Sequence, residues 1–156
     1  MCKVRRSSAP EAPGILVADA DRKAGGRLAA YLRGQGFRAS HTASGRGALA
    51  RARAGEVAVA IVDVALEDMP GPALASRLKE IGPAIRLLMT SADHSPKVEI
   101  AARRVGILYF AHKPLGYRVL GSIVAKAMGD RERAGREKIP PDRRRRGRAR
   151  ATAGRR

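Results

Sequence analysis

The chain has 156 residues, a formal net charge of +18, 44% hydrophobic residues and 3% aromatic residues. A chain of this length is expected to fold as one domain with a mainly aliphatic core. Cys2 is the sole cysteine, which excludes an internal disulfide and is typical of a reducing compartment. The sequence lacks the run of about 18 apolar residues that a membrane helix requires. It also lacks an apolar stretch after the basic start, so no secretory signal is predicted.

The positive charge is unevenly distributed along the chain. Residues 14–128 carry 17 Lys and Arg against 9 Asp and Glu, whereas residues 129–156 carry 12 against 4. This pattern predicts a flexible segment at 1–13, a folded domain at 14–128 and a basic, disordered tail at 129–156. An extension of the last helix into the tail is the alternative for its first residues.

Short apolar runs alternate with amphipathic stretches throughout the predicted domain. In chain order, the sequence predicts a strand at 15–18, a helix at 21–36, a strand at 37–43, a helix at 44–54, a strand at 57–63, a helix at 72–81, a strand at 85–90, a helix at 95–106, a strand at 107–111 and a helix at 114–129. Asp21 is the expected N-cap of the first helix and Gly36 its end. This strict alternation predicts an α/β fold, a doubly wound five-stranded parallel sheet with helices on both faces.

Polar groups suited to phosphate and cation chemistry follow four of the predicted strands. Asp19 follows the first strand and Asp63 ends the third. Thr90 ends the fourth strand and Ser91 follows it, and Lys113 lies after the fifth. Each group alone is explained by helix capping or turn formation. Ligands in open α/β sheets bind at the carboxyl ends of the strands, so the set together indicates a site there.

The ordered set of segments resembles the receiver domain of response regulators over about residues 14–128. The segments that carry the resemblance are ILVADAD, AIVDVALEDMPG, RLLMTSA and YFAHKP. No single segment is specific, but their order along the chain is. The resemblance implies a flavodoxin-like strand order 2-1-3-4-5 and a stand-alone, chemotaxis-regulator-like receiver of a bacterial two-component system, located in the cytoplasm.

The resemblance also implies a chemistry for the site residues. Asp63 would be the phosphoacceptor, forming an aspartyl phosphate by nucleophilic attack. Lys113 would pair with a phosphoryl oxygen, and Ser91 would bind the phosphoryl group and act as a switch. Asp19, Asp63 and the main-chain carbonyl of Ala65 would hold Mg²⁺, which prefers oxygen ligands. The domain would not be an enzyme beyond intrinsic phosphoryl transfer and autodephosphorylation.

Ala20 departs from the family pattern, in which two adjacent acids end the first strand. By that match Asp19 takes the first place, Ala20 the second, and Asp21 the position that caps the following helix. Three interpretations stay open: weaker Mg²⁺ binding by the remaining ligands, compensation by Asp21 or Glu67, or a degenerate site. Because nucleophile, lysine and hydroxyl are all present, the sequence favours a domain that can be phosphorylated.

Several residues near the predicted site have weaker assignments. The aromatic switch position of the family falls on Phe110, which could equally be a core residue of the fifth strand. His41, His94 and His112 lack the spacing of metal ligands and are expected to be ordinary strand or surface residues. The Lys113–Pro114 peptide is expected to be cis, by resemblance to the family.

The expected partners follow from the same resemblance. A sensor histidine kinase or a phosphotransfer protein would supply the phosphoryl group, and an unidentified protein would bind the surface formed by the fourth helix, fifth strand and fifth helix. One alternative is an adaptor that is not phosphorylated. Another is a nucleic-acid-associated protein acting through its arginine-rich tail, where residues 143–156 could bind polyanions without sequence preference.

Overall fold

A five-stranded parallel sheet in the order β2-β1-β3-β4-β5 forms the centre of the protein. The computed structural model describes residues 11–137. The elements are β1 (Gly14–Ala18), α1 (Arg22–Gly34), β2 (Ala39–Thr42), α2 (Gly45–Arg53), β3 (Val57–Asp63), α3 (Gly71–Ile81), β4 (Arg86–Ser91), α4 (Pro96–Arg104), β5 (Tyr109–His112) and α5 (Tyr117–Glu137). The predicted doubly wound fold and its strand order are confirmed. Most of the predicted N-terminal segment (1–10) and the arginine cluster at 143–156 lie outside the described residues.

Two hydrophobic cores cover the two faces of the sheet. Leu16 of β1 and Val62 of β3 belong to the core beneath α2, α3 and α4, whereas Val17 and Ile61 belong to the core beneath α1 and α5. Successive strand residues point to opposite faces, so a strand that is buried on both faces reads as a continuous apolar run. All seven residues of β3 are accordingly buried.

Polar side chains fix where the first two helices begin. The Asp21 carboxylate accepts hydrogen bonds from the N–H groups of Lys23 and Ala24, both at 3.0 Å, and so caps α1 as predicted. The Ser44 hydroxyl accepts from Gly47 N at 3.1 Å and caps α2. Such caps satisfy N–H groups that have no partner within the helix.

Helix α5 continues beyond the predicted boundary at residue 129 and ends at Glu137. Residues 130–137 are mostly Arg, Glu and Ala, which favour helix, and the first proline after them is Pro140. The extension of the last helix is thus observed, and the domain boundary drawn at 128 falls inside α5. Among residues 11–137, none of the helices is long and apolar enough to cross a lipid bilayer.

Candidate functional site

Three strand ends meet at the carboxyl edge of the sheet around one ammonium group. Lys113 Nζ lies 2.8 Å from Asp19 Oδ2 and 2.6 Å from Asp63 Oδ2. Both carboxylates are buried, with 6% and 5% of their residue surfaces exposed. Burial alone would lower the pKa of Lys113, but hydrogen bonds to Asp19 and Asp63 and their negative charges outweigh it and raise the pKa. The ammonium therefore stays charged and bridges the two acids at neutral pH.

The Asp63 carboxylate is held at both of its oxygens. Oδ1 accepts a hydrogen bond from Ala65 N at 2.9 Å, within the turn that leaves β3. Oδ2 accepts from Thr90 Oγ1 at 3.2 Å in addition to the contact with Lys113. A Cβ atom at Gly71 would collide with the Asp63 carbonyl oxygen, which explains the glycine where the chain returns past the strand end. The side chain is thus oriented by groups of the protein itself.

The end of β1 is fixed by one contact within its own turn and one from β2. Asp19 Oδ1 accepts from Asp21 N at 2.9 Å, and the Asp19 carbonyl oxygen accepts from His41 Nε2 at 2.8 Å. Gly25 makes this second contact possible, because a Cβ there would collide with the imidazole of His41. Sequence reasoning missed this role for His41. The available signal was Gly25, because a glycine inside a predicted helix often marks a point where another part of the chain comes close to the helix backbone.

Asp21 and Glu67, the two acids that one of the three interpretations offers as compensation for Ala20, make other contacts. The Asp21 carboxylate caps α1, and Glu67 Oε1 lies 3.8 Å from Arg22 Nη2 in an exposed ion pair. Among the described residues, no group of three His, Cys, Asp or Glu side chains is placed to hold a metal ion. Mg²⁺ often takes one or two protein carboxylates and completes its shell with water and phosphate oxygens. The buried carboxylates of Asp19 and Asp63, within reach of a single cation, fit that mode of binding.

The expected switch residues lie on the other side of β4 and along β5. Ser91 is fully buried, and its hydroxyl donates to Asp93 O at 3.0 Å and accepts from Asp93 N at 2.9 Å. Phe110 is buried in the core of β5 and contacts the His112 ring edge to face, with centroids 5.1 Å apart. His112 in turn stacks on His94 at 4.7 Å. The Lys113–Pro114 peptide is cis, as expected.

Asp68 ties the loop after β3 to helix α2, a role that the sequence did not reveal. Its carboxylate accepts from Gly45 N at 2.7 Å and from Arg46 N at 3.1 Å. These hydrogen bonds to the start of α2 lower the pKa of Asp68. The same loop carries Ala65 and Glu67, so this contact fixes the loop that borders Asp63.

Residues 15–125 match the family model of the response regulator receiver domain. The chain belongs to this family. Receiver domains are signalling domains of two-component systems and interact with histidine kinases or phosphotransfer proteins. The predicted family is therefore confirmed.

Curated relatives match this receiver domain over part of their length. Transcriptional regulatory protein ZraR of Salmonella typhimurium is 32% identical over 123 residues, covering 79% of this chain and 28% of the relative. ZraR of Escherichia coli K12 is 33% identical over 114 residues, covering 73% of this chain and 26% of the relative. The chain thus spans about a quarter of the length of these relatives.

Solved structures share the fold of this receiver domain. A CheY-like receiver domain protein from Methanospirillum hungatei has a TM-score of 0.73 at 21% identity, covering 80% of this chain and 100% of that chain. A response regulator protein from Burkholderia pseudomallei, solved with a phosphorylated aspartic acid, calcium ion and citrate, has a TM-score of 0.67 at 22% identity, covering 81% and 75%. At these identities the likeness establishes the fold.

Proposed function

We propose that this receiver domain is a phosphorylation-controlled switch with Asp63 as the phosphoacceptor. The observation that carries the proposal is the bridge from Lys113 to both Asp63 and Asp19 at the carboxyl edge of the sheet. A carboxylate oxygen of Asp63 forms a bond to phosphorus while the bond from phosphorus to the donor breaks. The electron pair of the broken bond leaves on the donor, a histidine nitrogen or the acyl oxygen of a small acyl phosphate.

The residues around Asp63 supply positioning and charge for this transfer. Lys113 neutralises negative charge that would otherwise repel the incoming phosphoryl group. Ala65 N–H and Thr90 Oγ–H hold the two carboxylate oxygens, so the nucleophile needs little reorganisation. These contacts lie in a buried crevice, where they act more strongly than in water.

Receiver domains generally bind Mg²⁺ in the acidic pocket, and here Asp19, Asp63 and the main-chain carbonyl of Ala65 would hold it. When bound, the ion supplies positive charge for the phosphoryl oxygens. Ala20 removes one anionic ligand, and neither Asp21 nor Glu67 replaces it in this conformation. We therefore expect weak Mg²⁺ binding.

The output of the switch is binding of a downstream protein to the face formed by α4, β5 and α5. Ile100 of α4 and Val119 of α5 are large apolar side chains of these helices, and they are 53% and 57% exposed. Ser91 couples this face to the site, because it must release Asp93 before its hydroxyl can donate to a phosphoryl oxygen. The proposal also places the protein in the cytoplasm. A histidine kinase or a phosphotransfer protein would donate the phosphoryl group.

Ala20 is the one observation that favours a second candidate, a receiver-like adaptor that is not phosphorylated. The arrangement of Asp63, Lys113 and Asp19 favours the first candidate, because an adaptor would not require a buried carboxylate pair bridged by an ammonium. Polyanion binding through residues 143–156 stays a prediction, since those residues lie outside the described part of the chain.

Labelling with acetyl phosphate in Mg²⁺, followed by intact-mass measurement and peptide mapping, tests the proposal. We expect one phosphoryl group on the wild type and none on Asp63→Asn. Asp130→Asn is the matched control, since it makes the same substitution on α5, away from the carboxyl edge of the sheet. Phosphorylation that persists in Asp63→Asn would contradict the acceptor assignment. A wild type that no phosphodonor labels would establish the adaptor instead.

A further inference from the structure

Thr90 is a buried hydroxyl residue beside the acceptor, at a position to which the family resemblance gives no role. It is 2% exposed, and its Oγ1 donates to Asp63 Oδ2 at 3.2 Å. The parallel pairing of β3 and β4 places Thr90 directly opposite Asp63. Val64 N donates to the Thr90 carbonyl at 2.9 Å, so the backbone of the two strands is locked at the same point. The contact is therefore part of the sheet and does not depend on a mobile loop.

Ser91, the next residue, cannot perform the same task in this conformation. A hydroxyl has one proton to donate, and that of Ser91 goes to the Asp93 carbonyl oxygen. Consecutive residues of a strand also point to opposite faces of the sheet. Ser91 is on the side of Met89, in the core beneath α4, whereas Thr90 is on the side of Leu88, in the core beneath α1 and α5. The two hydroxyls serve different sides of the same strand.

We propose that Thr90 is a positioning residue for the phosphoacceptor, an inference that rests on the proposed function of Asp63. Lys113 divides its ammonium between Asp63 and Asp19, so it does not by itself fix the orientation of either carboxylate. Thr90 contacts Asp63 and holds Oδ2 while Ala65 N–H holds Oδ1. Without the hydroxyl, Oδ2 depends on Lys113 alone, and the carboxylate can turn away from the orientation that attacks phosphorus.

Two substitutions separate the hydroxyl of Thr90 from its packing. Thr90→Val keeps the shape of the side chain and removes the donor, whereas Thr90→Ser keeps the donor and removes a methyl group. We expect the rate constant for labelling by acetyl phosphate to fall about tenfold in Thr90→Val, the equivalent of one modest hydrogen bond. Thr90→Ser should restore the rate to within about threefold of the wild type, because its hydroxyl can still donate. Equal rates for wild type and Thr90→Val would overturn the inference, as would equal losses in both variants.

A second measurement keeps the inference testable if no phosphodonor labels the wild type, a result that would overturn only the proposed function. The ¹³C resonance of the Asp63 carboxyl carbon, recorded without donor or metal, reports the loss of a hydrogen bond directly. We expect it to shift in Thr90→Val and to return toward the wild-type position in Thr90→Ser. An Asp63 resonance that is identical in wild type and Thr90→Val would overturn the contact itself.

Discussion

The imidazole of His41 on β2 donates a hydrogen bond from Nε2 to the main-chain carbonyl oxygen of Asp19, 2.8 Å away at the end of β1. The bond crosses from the edge strand to the strand that carries the first acid of the site. It requires a gap in α1, which the missing side chain of Gly25 provides. Gly25 in α1 therefore provides the space that the imidazole of His41 on β2 occupies.

Gly25→Ala should destabilise the protein although alanine favours helix. The new Cβ would collide with the His41 ring and displace it from Asp19, which we expect to lower the free energy of unfolding by about 1–2 kcal/mol. Gly26→Ala is the matched control, since nothing lies within 4 Å of its Cβ position. It should raise stability by about 0.5–1 kcal/mol through helix propensity. Urea unfolding measures the stability of both variants. A higher free energy of unfolding in both would contradict the predicted collision between the new Cβ and His41.

Ala20→Asp should tighten Mg²⁺ binding by about tenfold, because an anionic oxygen ligand is added beside Asp19 and Asp63. Without metal the same variant should lose roughly 1 kcal/mol of stability, because a third negative charge joins the crevice. Isothermal titration with Mg²⁺ and urea unfolding in chelator check the two effects. Ala20→Asn is the control, because asparagine has nearly the shape of aspartate but lacks its negative charge. If Ala20→Asp and the wild type bind Mg²⁺ equally, position 20 does not face the ion.

Lys113→Met should destabilise the protein at neutral pH by leaving Asp19 and Asp63 without their shared cation. We expect a loss of about 1–2 kcal/mol, less than for a fully buried pair because the ammonium is partly solvated. Since the folded pKa of Lys113 is raised above its ordinary 10.5, its contribution is fully present below pH 10.5. The contribution is lost as the pH rises through the folded pKa.

Urea unfolding of wild type and Lys113→Met from pH 7 to pH 11 follows this difference. Lys126→Met, an exposed lysine of α5, is the control and should change stability little at any pH. A difference for Lys113→Met that disappears well below pH 10.5 would contradict the stabilising role of the bridge.

Asp68→Asn should weaken the connection between the loop after β3 and the start of α2. The amide can still accept a hydrogen bond, but it lacks the negative charge that favours the carboxylate at a helix N-terminus. The folded pKa of Asp68 is lowered from 3.8, so its contribution is present above that pH and is lost as the pH falls through the folded pKa. The stability difference from wild type, measured by urea unfolding, should therefore shrink on acidification below 3.8. Glu80→Gln, an exposed acid on α3, serves as control, and a pH-independent gap for Asp68→Asn would argue against this role of its charge.

The residues at the strand ends could be predicted because they follow from alternation and chain order alone. Asp19, Asp63 and Lys113 each end or follow a strand, and a parallel sheet must bring such residues to one edge. Gly25 indicates that another group lies close to α1, but the sequence does not identify that group as His41, because the contact depends on the distance between two strands. The Asp68 tether depends likewise on how a loop meets a helix 22 to 23 residues earlier in the chain.

Thr90 and Ser91 show the same limit within a single dipeptide. The sequence offers two adjacent hydroxyls, and the family resemblance assigns the switch to Ser91. Which hydroxyl contacts Asp63 depends on the register of β3 against β4, and the structure gives that contact to Thr90. The end of α5 was uncertain for a different reason, because helix propensity continues past the last residues that the core requires.

The hydroxyls of Thr90 and Ser91 are adjacent in sequence, but they lie on opposite faces of the sheet at the end of β4. A substitution at residue 90 reaches the compartment of α1 and α5, and a substitution at residue 91 reaches that of α4. Under the proposed function, a substitution at residue 90 would change how fast Asp63 is phosphorylated without altering the core beneath α4. Two receivers with the same partner surface could respond on different timescales without any change in that surface.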